Sequence, residues 1–177
     1  MKTRFALRAA TDDVHRELDD LLSRLDLSDP ADYATFLKVQ ARAVPAVEGA
    51  LTASGLDELV EGWSDGRRSR ALEADLSALG EPLPPPAETP KIDGIGELLG
   101  TAYVLEGSRL GGRVLKQRVG EGLPISFLSH SEKSDTWLTV VAALDRFLYS
   151  DALLGEAKDG ARRCFALFLT VAKEAGV

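Results

Sequence analysis

Apolar residues recur at intervals of three and four along most of the chain, without any convincing alternation of apolar and polar residues. This period is typical of amphipathic α-helices rather than β-strands. In the first such segment, about residues 4–26, one face is apolar and the others are charged; its apolar members are Leu7, Val14, Leu18, Leu21 and Leu25. The pattern predicts an all-α fold, and 177 residues suit one domain spanning residues 1–177.

Turn and capping residues divide this pattern into segments. Asp29 is a predicted N-cap that places Pro30 in the first turn of the second helix, and Pro45 is expected to kink or interrupt that helix. Residues 81–93 hold five of the eight prolines and are predicted to form a stiff connector. The predicted helices cover about residues 4–26, 30–53, 56–62, 68–79, 94–119, 135–149 and 150–174, with residues 64–66 as a break and residues 123–134 as an irregular loop.

The helix predicted at residues 94–119 is unusually rich in glycine, although each internal glycine costs about 0.5–1 kcal/mol relative to alanine. Gly100, Gly107 and Gly111 are separated by seven and four residues, which places them on one narrow face. A strip of bare backbone lets a flat ligand approach closely or lets the helix bend. It equally allows a second helix to pack closely, and these glycines alone do not decide between the two.

Charge and composition exclude several classes of function. The chain has 28 acidic and 21 basic residues, a formal net charge of −7 and no sustained basic run, which argues against nucleic-acid binding. No run of about 18 apolar residues is present to span a membrane. The N-terminus lacks the apolar core of a signal peptide, so we expect a cytoplasmic protein. Cys164 is the single cysteine, which excludes an intrachain disulfide, and we expect it to be buried.

His15 and His130 are the only histidines, and His130 lies in the polar loop, where we expect it to be exposed. His15 lies at the edge of the apolar face of the first helix, one turn after Thr11. A neutral imidazole can bind a metal through one nitrogen, while a carboxylate four residues on, Asp19, orients the other. Arg8 lies two turns earlier on the same face and can meet an anionic group. A surface hydrogen bond between His15 and Asp19 is the simpler alternative.

Taken together, the His15 helix and the glycine-rich helix describe a slot for a planar macrocycle. Haem held by a single neutral histidine keeps its other axial position open for water or dioxygen. The sequence has no other cluster of histidine, cysteine or carboxylate at metal-ligand spacing. A metal centre built from protein ligands alone is therefore poorly supported.

Two segments resemble motifs of the biliverdin-producing haem oxygenases. Residues 7–15, Leu-Arg-Ala-Ala-Thr-Asp-Asp-Val-His, are similar to the opening motif of that family, which ends in the proximal haem ligand. Residues 105–112, Leu-Glu-Gly-Ser-Arg-Leu-Gly-Gly, are similar to its distal helix, most closely in the bacterial branch often found with bacteriophytochromes. The order of the motifs and the helical pattern suit the family across nearly the whole chain.

The resemblance implies oxidative cleavage of haem to biliverdin, Fe²⁺ and carbon monoxide, with haem as both cofactor and substrate and with dioxygen and reducing electrons consumed. It implies His15 as the iron ligand, Asp19 as its orienting partner and Arg8 as the partner of a propionate. Gly107 and Gly111 would form the distal face, where a kink allows backbone contact with oxygen. The remaining expected haem contacts are Thr11 and Gly112, with Tyr103 either bordering the pocket or packing in the core.

The resemblance also implies partners. They are an electron donor such as a ferredoxin or a reductase, and a bacteriophytochrome as acceptor of the biliverdin. The basic residues on which a donor could dock are Lys2, Arg4, Lys116 and Arg118. The candidates for a second propionate contact are Arg113, Lys116, Lys133 and Arg146, whereas the basic cluster at residues 67–70 is expected to be a solvated helix start.

One residue departs from well-known members of the family, which place an aspartate directly after the first distal glycine to anchor a water network for protonating oxygen. Here that position is Ser108, whose hydroxyl can hold a water but carries no charge. The expected catalytic set is therefore Gly107, Ser108 and Gly111. Two alternatives remain: a non-catalytic haem-binding carrier or sensor on the same fold, and a helical interaction module whose glycines only allow close packing.

Overall fold

The computed structural model describes residues 2–130 and 136–177. Within these ranges the chain forms helices and no β-strand, which confirms the all-α prediction. The helices are α1 (Lys2–Leu22), α2 (Pro30–Ala53), α3 (Leu56–Leu59), a 3₁₀ helix (Trp63–Gly66), α4 (Ser69–Ala78), α5 (Gly94–Lys116), α6 (Ser126–Ser129), α7 (Thr136–Phe147) and α8 (Asp151–Glu174). In the described part of the chain, no helix has both the length and the apolar character needed to cross a membrane.

The bounds of α2 agree with the capping residues that predicted them. Asp29 has an extended backbone, and its carboxylate accepts hydrogen bonds from the backbone N–H groups of Ala31 and Asp32 at 2.9 and 3.1 Å. These bonds satisfy two of the N–H groups that the start of a helix leaves without a partner. Pro45 does not interrupt α2, which continues to Ala53. The proline removes one N–H donor from the helix, and the buried packing around it holds the remaining turns together.

Other segments differ from the sequence prediction. Residues 64–66 form part of the 3₁₀ helix, which buries Trp63, so they make a packed turn rather than a simple break. The predicted loop at residues 123–134 contains the short helix α6, and its residues 131–134, like the predicted helix start at 135, lie outside the described residues. His130 is half-buried rather than exposed. The connector at residues 81–93 is free of helix, as predicted.

Helix α5 lies at the centre of the arrangement. It packs along α8 and also contacts α2, α6 and α7. Helix α8 also packs against α1. Leu99 and Leu105 of α5 are fully buried and belong to one continuous apolar core. The burial of Cys164 in the same core is as expected, and it raises the pKa of the thiol to about 12.

Glycines allow α5 and α8 to touch through their backbones. A Cβ atom on Gly100 would lie 1.9 Å from the carbonyl oxygen of Ala157, and one on Gly160 would lie 2.5 Å from that of Glu97. A Cβ on Gly96 would meet α8 equally closely, at 2.5 Å from the Cβ of Glu156. Of the two alternatives that the sequence left open for these glycines, helix packing applies to Gly100.

Ion pairs set the rotation of α1 against α8. Arg162 donates hydrogen bonds to both carboxylate oxygens of Asp13, at 2.7 and 2.9 Å, and to the carbonyl oxygen of Ala10 at 2.6 Å. The Arg162 guanidinium lowers the pKa of the Asp13 carboxyl to about 2. Exposed pairs of this kind add little stability. Their geometry nevertheless fixes which face of α1, and so which side of His15, is turned toward α5 and α8.

The seam between α5 and α8 leads to a first prediction. We expect Gly100→Ala to lower the free energy of unfolding by about 1–3 kcal/mol, because the added methyl group forces two backbones apart. The matched control is Gly49→Ala, at an exposed position inside α2 where nothing lies within 4 Å of the added atom. This control should be neutral or stabilising by up to about 1 kcal/mol. The measurement is urea unfolding of the two variants. Equal free energies of unfolding would contradict the close contact between the backbones of α5 and α8.

Candidate functional site

A cavity of about 520 Å³ lies between α1 and α5. Its walls are mostly apolar, with polar groups at a few places, as is usual for sites that hold small molecules and cofactors. Helices α2, α6, α7 and α8 complete the enclosure with aromatic and aliphatic side chains, chiefly Phe36, Phe127, Leu128, Trp137, Phe165 and Phe168. The sequence predicted only the walls formed by α1 and α5, because the residues that complete the enclosure come from four separate segments of the chain.

Helix α1 contributes the only imidazole on the described cavity wall. The His15 side chain is 57% exposed, and its Nε2 lies 3.5 Å from Oδ2 of Asp19. That separation is longer than a typical hydrogen bond, so Asp19 is within reach of the ring without holding it firmly. The ring of Phe165 from α8 lies 5.3 Å away, centroid to centroid, and is tilted by 38°. The imidazole is thus supported on one side and open to the cavity on another.

Helix α5 forms the opposite wall with its later glycines. A Cβ atom on Gly111 would meet nothing within 4 Å, and one on Gly107 or Gly112 would make only ordinary contacts, at 3.5 Å to Trp137 and 3.6 Å to Leu128. Gly107, Gly111 and Gly112 do not have a positive φ, and α5 is continuous through them. The bare surface therefore arises from missing side chains on a regular helix.

Positive charge collects at the more exposed part of the cavity. Arg4 and Arg8 lie one turn apart on α1, and both line the cavity together with Tyr103 of α5. Burial raises the pKa of the Tyr103 hydroxyl, while the charges of Arg8 and Arg4 oppose that shift. Thr11 is buried one turn further along, where its hydroxyl donates to the carbonyl oxygen of Leu7 at 2.9 Å.

A buried ionic network lies behind the glycine wall. Glu106 is fully buried and accepts hydrogen bonds from Trp63 Nε1 at 3.0 Å, from Arg109 Nε at 2.6 Å and from the hydroxyl of Thr136. Arg109 also donates to the carbonyl oxygen of Gly66 at 2.6 Å. Burial acts to raise the pKa of Glu106, but the charge and hydrogen bonds of Arg109 outweigh it and the net shift is downward. Glu106 is therefore ionised, and the network ties α5 to the 3₁₀ helix and to α7.

Arg68 is the site residue that sequence reasoning missed. It was expected in a solvated helix start, yet it is 3% exposed and lies on the cavity wall. Its Nη2 donates to the hydroxyl of Ser108 at 2.9 Å and to the carbonyl oxygen of Leu105 at 3.0 Å. These contacts join residues 37 and 40 positions apart, so no local spacing could reveal them. A signal did exist for Glu106 and Arg109, which form an i, i+3 pair of opposite charge in an otherwise small and apolar segment.

The cavity brings the expected site residues together. All of those selected from the sequence lie on its wall: Arg8, Thr11, His15, Asp19, Tyr103, Gly107, Ser108, Gly111 and Gly112. Of the candidates for a second propionate contact, Lys133 lies outside the described residues. Among the residues described, the cavity lining does not include Arg113, Lys116 or Arg146, whereas it does include Arg4.

Comparison with known proteins gives a consistent result. A heme oxygenase from Xanthomonas campestris pv. campestris (strain 8004) is 34% identical over 148 residues, covering 78% of this chain and 87% of that protein. The structure is similar to that of the NO- and CO-bound heme oxygenase from Neisseria meningitidis, with a TM-score of 0.74, 26% identity and coverage of 98% and 91% of the two chains.

The fold of a heme oxygenase from Leptospira interrogans is also similar, with a TM-score of 0.74 over 98% of this chain and all of that one, at 18% identity. No model of a protein family matches the sequence. The identity to the Xanthomonas protein nevertheless extends over most of both chains. This chain belongs to the haem oxygenase family.

Proposed function

We propose that the cavity binds haem between His15 and the glycines of α5, and that the protein cleaves it oxidatively to biliverdin, Fe²⁺ and carbon monoxide. Membership of the haem oxygenase family supports the reaction, which consumes dioxygen and reducing electrons. The observation that carries the assignment is the pairing, across one cavity, of a single imidazole with a bare helix face. Electrons would come from a partner such as a ferredoxin or a reductase, and a bacteriophytochrome is a candidate acceptor of the biliverdin.

The residues present fit haem in shape and in chemistry. A cavity of about 520 Å³ is within the usual range for sites that enclose a cofactor. Its aromatic and aliphatic lining suits the faces of a porphyrin, and Gly111 leaves open the space that a side chain would fill. Bound haem would supply the iron at which dioxygen is activated, and its propionates would lie toward the more exposed part of the cavity.

His15 is the proposed iron ligand. Its side chain lines the cavity and is more than half exposed, and Phe165 packs near its ring, so the imidazole is accessible to a ligand in the cavity. Asp19 would then accept the N–H of the nitrogen that does not bind iron, which fixes the tautomer and the orientation of the ring. The wider separation of 3.5 Å seen here is consistent with a pair that closes only when the ligand is in place.

Arg8 and Arg4 are the proposed propionate partners. Both arginines line the same cavity as Tyr103, and their charges act on its hydroxyl. Guanidinium groups bind carboxylates through paired, charge-assisted hydrogen bonds. Two arginines one turn apart suit the two carboxylates of a single haem, and they fix which edge of the macrocycle enters first.

The glycine wall and Ser108 would act on the opposite face. Bare backbone at Gly107 and Gly111 leaves room for a diatomic molecule beside the macrocycle. The hydroxyl of Ser108 donates to the carbonyl oxygen of Leu105 at 2.6 Å and accepts from Arg68, so it is held in one orientation. The absence of a carboxylate at position 108 is the observation that favours the second candidate, a haem carrier or sensor without turnover.

Titration with haem, followed by ascorbate in air, separates these functions. For the wild-type protein we expect a Soret band that saturates at one haem per chain and then bleaches as a bilin band grows at longer wavelength. In His15→Ala, loss of the imidazole should shift the Soret band and abolish sustained bilin formation, whereas His130→Ala, which changes the other histidine, should behave as wild type. Saturation without bleaching, also with a protein reductant, would identify a carrier or sensor, and no saturable band would overturn the haem assignment.

Substitutions at Gly111 test the bare wall. We expect Gly111→Ala to retain or raise the stability of the haem-free protein, since its Cβ meets no atom and alanine favours helix. Gly111→Leu should lower haem affinity by about tenfold or more, because a leucine side chain would occupy the volume of the ligand. The control is Gly155→Leu in α8, where an added Cβ also meets nothing. Equal haem affinities in Gly111→Leu and Gly155→Leu would contradict the proposed position of the haem.

The propionate contacts are tested on α1. Arg8→Gln is expected to weaken haem binding by about two- to fivefold, the effect typical of an exposed ion pair, and the loss should shrink as salt is added. Arg4→Gln should act in the same direction. Arg16→Gln is the matched control, because Arg16 is exposed on the same helix, pairs with Asp12 and does not line the cavity. An equal effect of all three variants would show that only net charge matters.

A further inference from the structure

Arg68 is anchored at the start of α4 so that its side chain must point inward. The carboxylate of Glu48, itself buried in α2, accepts hydrogen bonds from the backbone N–H groups of Arg68 and Ser69 at 2.6 and 3.3 Å and also pairs with the Ser69 hydroxyl. This contact caps α4 from another helix. It holds the backbone of Arg68 while the guanidinium extends to α5 and lies 5.1 Å from the centre of the Phe127 ring of α6.

The Arg68 guanidinium is a buried cation without a carboxylate of its own. Its Nη2 makes both of its hydrogen bonds, to Ser108 and to the carbonyl oxygen of Leu105, and its buried Nε has no partner in the described structure. The nearest carboxylate on α5, that of Glu106, is already bound by Arg109. Burial and the neighbouring charge of Arg109 lower the pKa of Arg68 to about 10, which leaves it charged at neutral pH.

The Ser108 hydroxyl has little freedom in this arrangement. It donates its single proton to the carbonyl oxygen of Leu105 and accepts one from Arg68. A hydroxyl bonded in this way offers the cavity one remaining acceptor lone pair and no donor. Two buried arginines, Arg68 and Arg109, line the cavity on this wall. The charge of Arg109 is balanced by Glu106, so the positive charge that has no paired carboxylate here is that of Arg68, beside Ser108.

We infer that Arg68 is a positioning residue for the reaction: it fixes the Ser108 hydroxyl and supplies a positive potential to the face of the cavity opposite His15. The inference rests on the proposed haem site. Oxygen gains negative charge as it is reduced, and a fixed cation in a water-poor site stabilises such charge far better than solvent does. Arg68 thus supplies the positive charge that stabilises reduced oxygen, which the neutral hydroxyl of Ser108 cannot supply alone.

The test compares Arg68→Met, Arg68→Lys, Ser108→Ala and the double variant Arg68→Met/Ser108→Ala, each reconstituted with haem. The readout is the C–O stretching frequency of the ferrous carbon monoxide complex, which reports the electric field on the face opposite His15 and does not require turnover. Arg68→Met should raise this frequency, since less positive charge faces the ligand, and should slow biliverdin formation by roughly 10- to 100-fold. Arg68→Lys keeps the charge and should shift the frequency less.

The double variant isolates the contact between the two residues. If Arg68 acts partly through Ser108, the effect of Ser108→Ala on the frequency should be much smaller in the Arg68→Met background than in the wild type. Arg70→Met is the matched control, because Arg70 is an exposed arginine of the same helix, and it should leave frequency and rate unchanged. Thermal unfolding of each haem-free variant identifies any that fails to fold. If Arg68→Met does not fold, the C–O frequency of Arg68→Lys is compared with that of the wild type instead.

The outcomes separate this inference from the proposed function. Absence of saturable haem binding in the wild type would overturn the proposed haem site and the inference with it. Haem binding and turnover in the wild type, with the same C–O frequency in folded Arg68→Met as in Arg70→Met, would overturn the inference alone. Additive shifts from Arg68→Met and Ser108→Ala would overturn the positioning of Ser108.

Discussion

The close approach of α5 to α8 is the constraint on which the rest of the structure depends. At Gly100 and Gly160 the two backbones come so near that no Cβ atom fits between them, and this contact sets the position of the central helix. Helix α8 in turn carries Phe165 against His15 and holds α1 through Arg162. The separation between the imidazole on α1 and the bare face of α5 is therefore determined by a seam on the far side of the cavity.

Buried charge fixes the other side of α5. Isolating an ionised carboxylate from water is costly, and Glu106 is tolerated because Arg109, Trp63 and Thr136 all donate to it. Such networks add little net stability compared with an apolar core, but removal of one partner leaves an uncompensated charge and is strongly destabilising. The network therefore makes the rotation of α5 specific, with Glu106 inward and the glycines facing the cavity.

The resulting site divides its chemistry between opposite walls. One wall provides the imidazole proposed to bind iron, supported by an aromatic ring, and the other provides space and a buried cation. Glycine appears twice in α5 with different functions: the earlier residues pack on α8 and the later ones, Gly107 and Gly111, leave room for a ligand. One helix thus holds the fold together along half its length and lines the cavity along the other half.

The sequence alone determined the helical class, the bounds of α2 and the residues on the two main walls, because helix periodicity, capping and the resemblance all act within short stretches of chain. It did not assign Gly100 to packing, since a glycine face looks the same whether a helix or a ligand covers it. Nor did it reveal Arg68, which meets Ser108 across 40 positions. Only the tertiary structure determines these two features. The packing of separate helices decides which groups are removed from water, and local spacing in the sequence contains no information about that packing.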